Sequence, residues 1–157
     1  MAQFVFAFMF VLVATVASAQ PYAVHVGTNA NPNGFVDPGE APRQDSVKDV
    51  KKALTHKKFA DLFTVVDDAS MADIRIVVAF RGTIETEHVR KMFGRWQRVQ
   101  QQNLRLDVVV GKHVQEFWAL PPGDGLQHAF RGDQAKYAVE HIAKWTRENK
   151  AAIDNAQ

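Results

Sequence analysis

Apolar and polar positions alternate most clearly over 72–82. Ile74, Ile76, Val78 and Phe80 fall on one face of an extended strand there, and Arg75 and Arg81 on the other. NLRLDVVV, at 103–110, repeats the pattern with Leu104, Leu106, Val108 and Val110. Gly111 and Lys112 make a tight link to HVQEFWAL, 113–120, so the two segments predict a hairpin. The β-branched runs PYAVHVGT (21–28) and DLFTVV (61–66) predict two further strands, the second followed by a turn at Asp67, Asp68, Ala69 and Ser70. The period becomes helical in DSVKDVKKALTHKK (45–58). Val47, Val50, Ala53 and Leu54 share a face, and Ser46 with Asp49 forms a capping pair. A second helix is expected over 132–150, where Asp133 can cap and Ala135, Ala138, Val139, Ile142 and Trp145 form an apolar stripe.

Residues 83–103 fit this scheme least well. Val89, Met92, Phe93, Trp96 and Val99 follow helical spacing, while Gly94 and a Gln-rich end oppose it, so a helix or a mobile insertion is expected. Strand, helix, four strands and helix give an α+β domain. It is expected as two layers: a largely antiparallel sheet of about five strands with two main helices packed on one face. The domain should span 20–150 with an insertion at 83–103, and 151–157 should be a fraying tail.

The amino-terminal segment stands apart. Residues 4–16 are almost wholly apolar, and Ala17, Ser18 and Ala19 supply a small-x-small cleavage pattern ahead of Gln20 and Pro21. This is the pattern of a secretory signal peptide cleaved after Ala19, although no Lys or Arg precedes the apolar run. The run is shorter than the ~20 residues of a membrane span. A periplasmic or secreted location is therefore expected. The chain has no cysteine, which excludes disulfides, thiolate metal sites, a cysteine nucleophile and a lipid-modified cysteine. The net charge of +2 is too mild to call for a nucleic-acid partner.

Little in the chain points to catalysis. Ser46 and Ser70 are the serines after the leader, and they read as a helix cap and a turn residue; no G-x-S-x-G occurs. The six histidines, His25, His56, His88, His113, His128 and His141, form no H-E-x-x-H pair. His25 and His113 would meet only if the fold joined their strands. Phosphate-cradling glycine motifs are absent, and Asp67 with Asp68 suits a turn.

Two stretches carry candidate chemistry. In NANPNGFVDPGE, 29–40, the oxygen-bearing residues Asn29, Asn31, Asn33, Asp37 and Glu40 fall at positions 1, 3, 5, 9 and 12 of a calcium loop, with Gly34 at position 6. Against calcium, position 1 is uncharged, and Pro38, Gly39 and Pro42 oppose a following helix. Turn chemistry explains the same residues, so no cofactor is expected beyond a weak calcium ion. The second stretch is basic. From His88 to Arg105 the cations Arg90, Lys91, Arg95, Arg98 and Arg105 occur with no acid between them, and Phe93 and Trp96 are interleaved. Arg90, Lys91, Phe93, Arg95, Trp96 and Arg98 could grip an anionic or ring-bearing partner. Packing of the aromatics on the sheet, with solvated arginines, is the plainer explanation.

GFVDP (34–38), DSVKDVKKAL (45–54), the Ala72, Asp73, Ile74 strand entry, VVVGKHV and AVEHIAKWTREN together resemble a group of small secreted bacterial proteins of unknown function. The resemblance covers most of the chain after the leader except 83–103. It implies the α+β fold and export, and no activity. More distantly the layout is similar to small periplasmic α/β domains of envelope-assembly accessory proteins. The expected function is a non-enzymatic cell-envelope binding or accessory protein with an anionic envelope component as partner. The alternatives are a calcium-stabilised secreted module and a small hydrolase whose site forms only in three dimensions.

Overall fold

A computed structural model describes the backbone of residues 20–29, 39–92, 95–119 and 131–156, and the side chains of these residues except 84–102 and 131–133. The leader (1–19), Asn31, Asn33, Asp37, Phe93 and the proline-glycine loop at 121–125 lie outside the described residues.

Five strands form one mixed sheet: β1 (Tyr22–Thr28), β2 (Phe63–Val66), β3 (Ile74–Met92), β4 (Arg95–Val110) and β5 (His113–Ala119), in the order β2-β1-β3-β4-β5. β3, β4 and β5 are mutually antiparallel, as the hairpin pattern predicts, but β1 runs parallel to both β2 and β3. The turn at 67–73 is therefore not a hairpin. β2 pairs with the first half of β1, from Tyr22 to His25, and β3 begins opposite Val24. This stagger lets a short link carrying one 3₁₀ turn (Ala69–Met71) pass from β2 to β3 beyond the intervening strand. Asp73 closes the junction: its N–H donates to the Ala23 carbonyl at 2.9 Å, and its Oδ2 accepts from the Ala23 N–H at 2.8 Å.

The parallel pairing of β1 and β2 needs a crossover, and helix α1 (Glu40–Leu54) supplies it. It starts five residues before the expected boundary. Pro42 does not prevent this, because a first-turn N–H has no intrahelical partner to lose. Ser46 is consequently not a cap. Its hydroxyl lies inside the helix and donates to the Pro42 carbonyl at 2.9 Å. α2 (Arg131–Glu148) places Asp133 within its first turn, and α3 (Lys150–Asp154) follows after Asn149. The expected fraying tail is instead packed: Ile153 is buried, and the Tyr22 hydroxyl donates to Asp154 at 2.6 Å.

One core holds the layers together. Val24, Val26, Ile74, Ile76, Val78, Leu104, Leu106, Val108 and Val110 alternate inward from the strands. They meet Val47, Val50 and Leu54 of α1 and Ala135, Ala138, Val139, Ile142 and Ala143 of α2. Each large aliphatic residue buried here contributes about 1.5–3 kcal/mol. The intervening strand residues, among them His25, Arg75, Val77, Arg105, Asp107 and Glu116, are half-buried or exposed and form the other sheet face.

The β3–β4 register shifts twice, between Val78 and Phe80 and again in the arm between Glu85 and Val89. A β-bulge in β3 between Val78 and Phe80 inserts one residue and reverses the faces beyond it. Phe80 therefore joins the outer face, while Arg81 turns inward, is buried, and donates to Gln134 of α2. A strictly alternating reading puts both residues on the wrong side.

Candidate functional site

Beyond the bulge, β3 and β4 leave their neighbours behind. β1 pairs with β3 as far as Val78, and β5 pairs with β4 only from Leu104. Past those points the two strands pair with each other, from Gly82 opposite Asn103 to Met92 opposite Arg95. The stretch expected to be a helix or insertion is thus a two-stranded β-arm. At ~3.3 Å per residue it projects roughly 30 Å. Beyond Gly82 and Asn103 the ribbon has no further strand of the sheet beside it among the described residues, and its sequence carries no apolar alternation. Thr83, Ile84, Thr86, Val89 and Val99 supply the β-branched residues that favour strands.

The arm carries the basic segment. Arg90 lies opposite Gln97, Lys91 opposite Trp96, Met92 opposite Arg95 and Val89 opposite Arg98. The predicted partner-binding residues Arg90, Lys91, Arg95, Trp96 and Arg98 are therefore gathered at the outer end of one element; Phe93 lies outside the described residues. Among the described residues nothing pairs with the outer edges of the arm. Cations on free edges discourage strand-to-strand aggregation. A run of cations with no acid goes beyond that need, because mixed charge protects an edge equally well.

At the root of the arm, on the outer sheet face, the structure assembles a cluster that sequence reasoning missed. Arg105 Nε and Nη2 donate to the two carboxylate oxygens of Asp107 at 2.8 and 3.1 Å, and Nη2 also lies 2.9 Å from Glu116. The hydrogen bond to Asp107 raises the Arg105 pKa above its ordinary value. The guanidinium sits 5.8 Å from the Trp118 ring centre, and Phe80 packs on the same indole at 6.2 Å. Trp118 is still 43% exposed. An indole fixed on its inner side and open on its outer side is a stacking platform. Arg105, neutralised by two acids, contributes rigidity rather than net charge. Asn103, one step further toward the arm, is 3% exposed, and its Oδ1 has no hydrogen-bond partner among the described residues. The outward positions of β4 and β5 name most of this cluster, but its aromatic half depends on the bulge that turns Phe80 outward.

Of the calcium-loop residues, Asn29 and Glu40 are described. Glu40 opens α1 and its carboxylate is already engaged: Oε1 accepts from Thr28 at 3.1 Å and from Gln44 at 2.8 Å, and Oε2 accepts from Arg43 at 2.8 Å. The Arg43 bond, followed by the Gln44 bond, holds the carboxyl below its usual range. Among the described residues no group of three His, Asp or Glu converges as a metal site. His25 and His113 do not meet, since β3 and β4 separate their strands by three sheet spacings, roughly 14 Å. Ser70 belongs to a turn in which Asp68 Oδ1 accepts from both its N–H and its hydroxyl. A pocket of about 280 Å³ between β4, β5 and the C-terminal helices is lined by Val108, Val110 and Trp145, with His113 its one titratable lining residue among those described.

Compared with known proteins, the chain matches no family model and no curated protein.

Proposed function

We propose that the chain is an exported, non-enzymatic binding module that engages an anionic component of the cell envelope through the β3–β4 arm. One observation carries this reading: a two-stranded arm extends past the rest of the sheet and bears Arg90, Lys91, Arg95 and Arg98 with no acid between them. By register these four positions lie in the part of the arm that pairs with neither β1 nor β5. The free backbone edges add a second mode of contact, strand addition. Trp118, at the root, supports the reading by extending the surface with a stacking platform. Export is supported by the apolar leader with its Ala17, Ser18, Ala19 ending. No helix among the described residues is long and apolar enough to cross a membrane.

The test is co-sedimentation with isolated envelopes and with vesicles of anionic and of neutral phospholipid, for the parent chain and for a variant carrying Arg90→Gln, Lys91→Gln, Arg95→Gln and Arg98→Gln. Each cation at an anionic surface contributes about 1 kcal/mol at moderate salt. Loss of four is therefore expected to weaken binding roughly thousandfold. Parent binding should fall with added salt. Envelope binding that survives all four substitutions unchanged would refute the role of the arm.

A further inference from the structure

We propose that Gln20 is a modification site: once the leader is removed, its side chain closes on the new amino terminus to give pyroglutamate. The inference rests on the export reading above, which places cleavage between Ala19 and Gln20. The chemistry needs nothing beyond Gln20 itself. The freed α-amine attacks the side-chain carboxamide carbon, a C–N bond forms in a five-membered lactam, and the amide nitrogen leaves as ammonia. No electrons are transferred and no co-reactant is consumed. The requirement is conformational, because the amine and its own side chain must be free to fold onto each other.

The structure leaves them free. The sheet takes hold of the chain at Tyr22, whose N–H donates to the Leu62 carbonyl at 2.9 Å and whose side chain is anchored to Asp154 and Lys150. Gln20 and Pro21 precede that anchor and both are exposed. Among the described residues Gln20 has no strand partner, and it is exposed, so neither pairing nor burial there holds its backbone extended. A cut two residues further along would place the amine at Tyr22, inside the sheet. The lactam removes the terminal cation and, with Pro21 next to it, leaves a terminus with no free amine for an aminopeptidase to recognise.

The test uses the full chain with its own leader, expressed in a bacterium and recovered after export. Intact mass spectrometry should find the chain from Gln20 to Gln157 lighter by one ammonia. An amine-reactive label should miss its terminus, and fragmentation of the amino-terminal peptide should place the mass loss on Gln20. Gln20→Asn should be exported equally and keep full mass and a reactive amine, because the shorter side chain would have to close a strained four-membered ring. A free amine on Gln20 that persists through storage overturns the modification and leaves the export reading standing. A terminus at any other residue overturns both, and the measured mass tells the two failures apart.

Discussion

Arg105 shows how a single side chain can organise a surface. Two acids and an indole hold it, so it fixes the orientation of Trp118 more than it advertises charge. Arg105→Ala should leave the fold intact but release Trp118, seen as a red shift and loss of anisotropy in its fluorescence in a Trp96→Phe, Trp145→Phe background. An unchanged spectrum would show that Phe80 alone positions the ring. A second residue-scale prediction concerns pH. Hydrogen bonds from Tyr22 first and Lys150 next lower the Asp154 pKa below its ordinary value. A depressed carboxyl gives stability that is present above its unfolded pKa and is lost as pH falls through the folded one. Tyr22→Phe should therefore lower the melting midpoint at neutral pH and flatten its fall in the acid range below the ordinary Asp value. A variant whose loss is the same at all pH values would assign the effect to packing.

At the scale of elements, legibility followed burial. β1, the start of β3 and the end of β4 were readable because one side of each faces the core and writes a period of two into the sequence. The arm was not, because Thr83 to Gln102 carry no period of two and their apolar residues happen to fall at helical spacing. The basic candidate residues were legible as composition, but their gathering on a ribbon was not. Pro42 hides the start of α1, because proline reads as a helix breaker unless it sits in the first turn, and the bulge between Val78 and Phe80 leaves no mark in the sequence that reveals the stacking cluster. A two-stranded ribbon lacking neighbours is marginal by itself. Amide hydrogen exchange should accordingly be fastest in the arm and slowest at Ile74, Ile76 and Val108. Binding to anionic envelope should slow exchange in the arm first; protection confined to the helices would place the contact elsewhere.

For the whole molecule, the core and the arm are separable in energy. Among the residues whose burial is described, the apolar core reaches Val78 on β3 and Leu104 on β4. Ile76→Ala, inside that core, should cost about 2–5 kcal/mol in a denaturant titration, the usual range for a buried aliphatic truncated to alanine. Calcium is expected to leave the melting midpoint unchanged, since the Glu40 carboxylate is spent on Arg43, Gln44 and Thr28. A rise that Glu40→Gln abolishes would assign a calcium ion to the loop at 29–40. The central claim is that the arm binds while the rest of the domain folds, and trimming tests it most directly. Thr83 lies opposite Gln102, so a two-residue Asn-Gly turn can replace 84–101. The measurement is envelope co-sedimentation of the trimmed chain beside the parent, with a thermal melt of each. The account predicts nearly equal melts and loss of binding; a trimmed chain that melts like the parent and still sediments with the envelope would contradict it.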